Sequence, residues 1–390
     1  MSNVRVLRGT AHIGMHLEPA TIVIEGDRIA AIQRGIESTG NYAENVRIED
    51  VDVVSPGLID LQVNGGNGAE IGNSANAIDH VSAWLPSTGV SAWLPTVVTA
   101  PADFYPGVFE AWAQVDPGRG AVPLGYHLEG PFLAPEKKGA HVLAHIEAAD
   151  DSIIDTWLEQ DSIRIVTLAA EREGNLGRIR RLVEAGIVVS LGHTNATYEQ
   201  FRAGVDAGAT KATHLFNTMP NIHHRDPGAM VAALNDDRIT AGIIPDGIHT
   251  HPGMVRLAIR AKGVDRILIV SDMMSAAGLE PGTYGLGGQT VTVDETSARL
   301  ADGTLAGSII TMDAAVRNIV EWSDAGIAEA LHMATAVPTQ LIGERDRGVI
   351  RAGAIADLTI WDWSLQVQET IVGGVSRYRA GGTAGASGNP

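Results

Sequence analysis

Ile187-Val188-Val189-Ser190-Leu191-Gly192-His193, followed after a short polar segment by Ala209-Thr210-Lys211-Ala212-Thr213-His214-Leu215-Phe216-Asn217-Thr218-Met219, is the stretch whose reading decides the fold. Twice a short apolar or β-prone run ends in a histidine. Residues 198–207 between the runs have helical character, and strands that alternate with helical patterns argue a parallel sheet. In a closed parallel barrel the strand C-termini converge on one rim, where active sites are built. His193 and His214 then come side by side, and imidazoles so placed ligate zinc and other first-row metals. Either histidine alone reads equally well as a satisfied core residue. The repeated strand-end position argues against that.

Working outward, eight strand-like runs show the same pattern, at 58–63, 90–97, 121–128, 163–168, 187–191, 209–213, 239–244 and 266–270. Helical stretches include 77–87, 151–160, 177–185 and 198–207. Eight β/α units in about 290 residues suit a (β/α)8 TIM-like barrel, an α/β fold. The pattern breaks at 280–305. There Gln289-Thr290-Val291-Thr292-Val293 and Ala298-Arg299-Leu300, with Asp302-Gly303, read as a hairpin inserted after the eighth strand. Helical character resumes at 311–322 and 327–335.

Both chain ends are β-like. Val4-Arg5-Val6-Leu7, Thr21-Ile22-Val23-Ile24 and Ile29-Ala30-Ala31-Ile32 open the chain, and Asp357-Leu358-Thr359-Ile360-Trp361 reads as a buried strand near its close. Neither end has enough strands to bury a core alone. Residues 1–54 and 345–380 are therefore expected to join in one small β-sandwich domain beside a barrel of residues 55–344. Residues 381–390, rich in Gly, Ala and Ser, are expected to form a disordered tail.

Composition narrows the function. The 390 residues are 45% hydrophobic and 19% charged, an ordinary globular balance. Lys plus Arg is 28 and Asp plus Glu is 46, a net charge of −18. Nucleic-acid binders present a basic face, so no nucleic-acid partner is expected. An anionic substrate would need local cationic help. The chain has no cysteine, which excludes disulfides and thiolate metal sites and leaves His, Asp and Glu as ligands. No apolar run is long enough for a membrane helix. The first residues lack a basic segment followed by an apolar one, so no signal peptide is expected and a cytoplasmic location is.

Five candidate groups fall at or just after strand runs three, five, six, seven and eight: Glu129, His193, His214, His249 and Asp272. A carboxylate plus two imidazoles makes a three-ligand set that leaves room for water, the arrangement of a catalytic zinc site. A nearby carboxylate can take the water's proton and pass it to a leaving nitrogen. Asp272 is placed to do that, although alone it reads first as a strand-end residue capping the next helix. Two loops add cations. Glu136-Lys137-Lys138-Gly139-Ala140-His141 reads alone as a solvated charged loop. His223-His224-Arg225-Asp226-Pro227-Gly228 suggests anion capture or simply a surface turn.

These motifs carry a resemblance. Pro56-Gly57-Leu58-Ile59-Asp60-Leu61-Gln62-Val63-Asn64-Gly65, His127-Leu128-Glu129-Gly130-Pro131-Phe132, Lys137-Lys138-Gly139-Ala140-His141, Gly192-His193-Thr194, His214-Leu215-Phe216-Asn217-Thr218-Met219, Asp246-Gly247-Ile248-His249, Ser271-Asp272, Leu305-Ala306-Gly307-Ser308 and Gly353-Ala354-Ile355-Ala356-Asp357-Leu358 run in order over nearly the whole chain. The chain thereby resembles the N-acetylglucosamine-6-phosphate deacetylases, a family of the amidohydrolase superfamily.

The resemblance implies hydrolysis of N-acetyl-D-glucosamine 6-phosphate to glucosamine 6-phosphate and acetate, in amino-sugar catabolism and cell-wall recycling. It implies Glu129, His193 and His214 as metal ligands, Asp272 as acid/base, and His141 as the group that polarises or positions the acetamide carbonyl. Ala140, Asn217, Thr218, Arg225, Asp246 and His249 would bind substrate, with Arg225 reaching a neighbouring subunit. Leu305, Ala306 and Gly307 would line the sugar pocket. A homodimer follows, with a homotetramer as the alternative.

One departure from the wider superfamily matters. Many members carry His-x-His where this chain has Gln62-Val63-Asn64. Amides are poor zinc ligands beside imidazole and carboxylate, so one tightly held divalent metal is expected. Zinc stands first, with Fe2+, Mn2+ or Co2+ as alternatives, and a second, weaker ion is left open. Two other readings compete. One is an amidohydrolase acting on an unphosphorylated amide, and the other is a non-catalytic scaffold that has kept the fold.

Overall fold

The computed structural model describes residues 4–36 and 46–381. Eight parallel strands form the barrel: Leu58–Val63, Val90–Val98, Tyr126–Glu129, Ile163–Leu168, Val188–Leu191, Lys211–Ala212, Thr240–Ile243 and Ile267–Ile269. A bridge between Val63 and Met273 brings the two ends of this sheet together and nearly closes it. Leu58–Val63 is buried throughout, as parallel strands covered on both faces must be. The third run, read as continuous over 121–128, is instead split into Val122–Pro123 and Tyr126–Glu129. Pro123 lacks the N–H a continuous ladder needs, and Gly125 sits at φ 126°.

The main apolar cluster joins strand residues such as Trp93, Leu128 and Val189 to helix residues such as Trp157, Ile179 and Phe201. Trp157 stacks edge-on to Tyr105 and Phe132, with centroids 5.1 and 5.9 Å away. A smaller cluster of Ile59, Leu61, Ala92, Leu94, Ile165, Leu268 and Val270 takes in Val337 of the helix Ala336–Leu341. The insertion after strand eight is a three-stranded sheet, Gly282–Leu286, Gln289–Val293 and Ala298–Arg299. Among the described residues no helix is long and apolar enough to cross a membrane.

The two chain ends meet in one hydrogen-bonded path of seven strands. Its order is Val375–Arg379, Val367–Val372, Leu358–Trp361, Arg47–Pro56, Val4–Ile13, His16–Glu25 and Arg28–Arg34. Leu7, Ile22, Ile29 and Val54 pack there with Leu358 and Ile371. Arg5 ties the ends together through both oxygens of Glu369 (2.7 and 2.6 Å) and both of Glu49 (2.5 and 3.0 Å). The tail expected at 381–390 lies, beyond Gly381, outside the described residues.

His12 of this sheet is buried beside His332 of the helix Ile327–Ala334, and burial first, then the charge of His332, pushes it down to about 4. Its neutral form therefore contributes stability that is complete above about 6.5, the unfolded value, and is lost as pH falls toward 4. His12→Gln should flatten the fall of Tm over that pH window. An unchanged slope would show that His12 takes no part in acid unfolding.

Candidate active site

The site's metal-ligand and acid/base candidates lie at or just past the C-terminal ends of barrel strands. Glu129 is the last residue of strand three, and His193 and His214 lie two residues beyond strands five and six. His193, His214 and Asp272 take positive φ values of 45°, 26° and 51°. Non-glycine residues hold such values at a cost of about 1–3 kcal/mol, and they cluster at functional sites. Here the left-handed turn at the strand end swings the side chain over the rim.

The three proposed ligands converge. His214 Nε2 lies 3.1 Å from Glu129 Oε1 and 3.1 Å from His193 Nε2, and His193 Nε2 is 3.4 Å from Glu129 Oε1. Ligands about 2.0–2.1 Å from a tetrahedral ion sit about 3.3–3.4 Å apart, so the spacing is that of a metal shell. All three residues are buried. His193 Nδ1 donates to the carbonyl of Lys137 at 2.8 Å. That bond leaves Nε2 with its lone pair facing the cluster. Gly139, at φ 54°, passes so close that a Cβ there would meet His193 Cε1 at 3.1 Å. Burial alone would push Glu129 up, but the two imidazoles hold it well below the usual carboxylate range. A buried carboxylate with two imidazoles fits a divalent cation.

Gln62 and Asn64, which replace the superfamily's histidines, act as supports. Gln62 Nε2 donates to Glu129 Oε1 (3.0 Å) and to Asp272 Oδ1 (3.1 Å). Asn64 Nδ2 donates to Asp272 Oδ1 at 2.7 Å. Asp272 therefore caps no helix; it is pinned by one oxygen. Burial, then the charge of Glu129, pushes it up to about 6, and a cation on Glu129 would oppose both causes.

His141 stands on the other side of Glu129, its Nε2 3.9 Å from Oε2. The backbone N–H of Thr99 donates to His141 Nδ1 at 3.2 Å. A backbone amide can only donate, so Nδ1 is the acceptor and Nε2 carries the proton. Burial, then the charge of His193, pushes His141 down to about 3, which keeps it a neutral donor.

These groups line a cavity of about 390 Å³ together with Ala140, Asn217, Thr218, His249, Leu305 and Gly307. Asp246 stands behind His249 and accepts its Nδ1–H at 2.6 Å. Ala306 faces away, into an apolar cluster with Met274, Val291 and Ala298. Arg225 is exposed and outside the cavity, with Nη1 2.8 Å from His224 Nε2. The lysine pair is not freely solvated, since Lys137 Nζ donates to Met219 O at 3.2 Å. The sequence did not point to Thr99 or Arg299 as site residues, and both line the cavity.

Below the site a polar layer fills the barrel. His127 bonds Leu61 O (3.0 Å) and Thr167 Oγ1 (2.7 Å), and Thr167 bonds Thr213 Oγ1 (2.7 Å). Lys211 is fully buried, and burial pushes it down to about 8 against the pull of Glu129, Asp272 and Asp60.

The chain matches the model of the Amidohydrolase family over residues 53–377. It is 38% identical over 400 residues to N-acetylglucosamine-6-phosphate deacetylase of Bos taurus, covering 96% of this chain and 94% of the relative. It is also 38% identical over 338 residues to N-acetylgalactosamine-6-phosphate deacetylase of Escherichia coli O157:H7, covering 85% and 89%. The solved structure of a mutant of the Mycobacterium smegmatis N-acetyl-D-glucosamine-6-phosphate deacetylase, in complex with N-acetyl-D-glucosamine-6-phosphate, superposes with a TM-score of 0.90 at 32% identity, covering 96% and 99%. With that barrel, those strand-end groups and these relatives, the chain belongs to the amidohydrolase family, in the branch that holds the N-acetylglucosamine-6-phosphate deacetylases.

Proposed function

We propose that this chain is a metal-dependent deacetylase that converts N-acetyl-D-glucosamine 6-phosphate and water to glucosamine 6-phosphate and acetate. The observation that carries the proposal is the convergence of Glu129, His193 and His214 between Asp272 and His141 in one cavity. The relatives that share the fold and family act on phosphorylated N-acetyl sugars by name. Glu129, His193 and His214 would hold one divalent cation, zinc first. Such an ion acts as a Lewis acid and lowers the pKa of a bound water.

The chain's own groups do the rest. Asp272, with Oδ1 pinned by Gln62 and Asn64, keeps its other oxygen for the proton. It takes one from the attacking water and delivers it to the departing amine. His141 Nε2–H donates to the acetamide oxygen as charge builds there. Asn217, Thr218 and His249, the last oriented by Asp246, hold the sugar phosphate, and Leu305 and Gly307 receive the ring. Residues 55–344 form the catalytic unit, and residues 1–54 with 345–380 the sheet unit. We place the enzyme in the cytoplasm.

Arg225 completes the phosphate site from the neighbouring subunit of a homodimer, which agrees with its position outside its own chain's cavity. Arg225→Ala should raise KM for the phosphorylated sugar about tenfold or more, the worth of a charge-assisted contact, with a much smaller effect on the unphosphorylated sugar. Mixed Arg225→Ala and Asp272→Asn subunits should recover part of the lost activity. No recovery after verified subunit exchange would mean that Arg225 serves its own chain.

The test of the function is acetate release from N-acetylglucosamine, N-acetylglucosamine 6-phosphate and the galactosamine epimers. Preference for the glucosamine 6-phosphate supports the proposal, and preference for an unphosphorylated amide sinks it.

A further inference from the structure

The hairpin inserted after strand eight brings one permanent cation to the cavity. Arg299 is the only Lys or Arg among the residues that line it. Among the described residues no carboxylate lies within ion-pair distance of its guanidinium, whereas Arg5, Arg178 and Arg238 are all paired. Two of its nitrogens are committed. Nε donates to Ser297 Oγ at 3.2 Å and Nη1 to Gly303 O at 2.9 Å. No described residue takes a hydrogen bond from Nη2. An arginine fork fixed on two sides and unpaired on the third is arranged to accept an oxyanion.

The hairpin that carries it is held against the barrel rim. Gly287 N donates to Glu70 Oε1 at 2.5 Å, Ser275 Oγ to Gly285 O at 3.1 Å, and the Gln289 amide to Ala140 O. Leu300 N donates to Thr304 O at 2.9 Å and closes the tip. Lys138, next to Gly139, is near enough to act on the tip residue Asp302, and Gly139 in turn packs on Thr218. The arginine thus lines the same cavity as Asn217, Thr218 and His249, the residues assigned to the substrate's anionic end.

We propose that Arg299 is a specificity residue that contacts the substrate's phosphate from within the same subunit, as a second cation beside Arg225. The proposal rests on the reading that the substrate is a sugar phosphate. In a chain of net charge −18, with Glu129 and Asp272 in the same cavity, an anionic substrate needs positive charge at the entrance.

The experiment compares Arg299→Ala and Arg299→Lys with the parent, all metal-loaded. For Arg299→Ala, the ratio of kcat/KM for N-acetylglucosamine 6-phosphate over that for N-acetylglucosamine should fall about tenfold or more, with the loss mainly in KM. Arg299→Lys should recover part of it, because charge remains while the fork is lost. Inorganic phosphate, used as a competitive inhibitor, should bind Arg299→Ala several-fold more weakly. An unchanged ratio together with an unchanged inhibition constant for phosphate overturns the proposal. If Arg225→Ala lowers the ratio and Arg299→Ala does not, the sugar-phosphate reading stands and Arg299 is excluded. If the parent shows no preference for the phosphorylated sugar, that reading falls, and unchanged phosphate inhibition in Arg299→Ala would overturn Arg299 separately.

Discussion

Asp272→Asn should keep its fold, metal and substrate binding while kcat falls by roughly 10²–10⁴, the range expected when a positioned acid/base is removed. Asn keeps the size and a hydrogen-bonding oxygen. Gln62 Nε2 and Asn64 Nδ2, which donate to Oδ1, would still find an acceptor. What is lost is the second oxygen's capacity to take a proton. The parent's rate should fall on the acid side as Asp272 becomes protonated. In the metal-loaded enzyme this limb should lie below about 6, the value set by burial and Glu129 without the ion, because the cation favours the ionised form. The limb belongs to Asp272 and the bound water together, and it should disappear in Asp272→Asn. Near-parental kcat in a fully metal-loaded variant would place the acid/base elsewhere, and His141 would be next to test.

The second large effect is loss of metal. His214 Nε2 is 3.1 Å from both Glu129 Oε1 and His193 Nε2, so removing either imidazole leaves two ligands where a catalytic zinc site uses three. His193→Ala and His214→Ala should each lose the tightly bound ion and with it nearly all activity. The parent should hold about one equivalent, since Gln62 and Asn64 offer only amide oxygens, poor ligands beside imidazole and carboxylate, where a second ion would need imidazoles. Elemental analysis of dialysed protein decides this. Full occupancy in both variants would refute the ligand assignment.

The barrel was legible because its strands are buried on both faces and so read as apolar runs, and because a histidine twice follows such a run. Glu129, His193 and His214 could be picked out by position alone, since strand ends converge on one rim. Their partners could not. Gln62 and Asn64 are legible only as histidines that are missing, because an amide's role depends on which carboxylates face it. Thr99 fixes the His141 proton through its backbone N–H, which no side-chain pattern encodes. Arg299 lies far along the chain on a hairpin whose fold back over the mouth is a tertiary event. Lys211 sits in a β-prone run, where nothing local announces that its ammonium will be fully buried. Arg225 stood out as a possible anion contact from its His-His-Arg loop, but its reach into a neighbouring subunit could be named only through the resemblance, since its own chain leaves it exposed outside the cavity.

The most direct test of the central claim is the stoichiometry of products from N-acetyl-D-glucosamine 6-phosphate with purified, metal-loaded protein, run beside its metal-stripped form and Asp272→Asn. The expected result is acetate and glucosamine 6-phosphate in equal amounts from the loaded parent, with turnover lost on stripping and restored by zinc or another divalent ion. Undiminished acetate release after complete removal of metal, or none from the phosphorylated sugar while an unphosphorylated amide is hydrolysed, would contradict it.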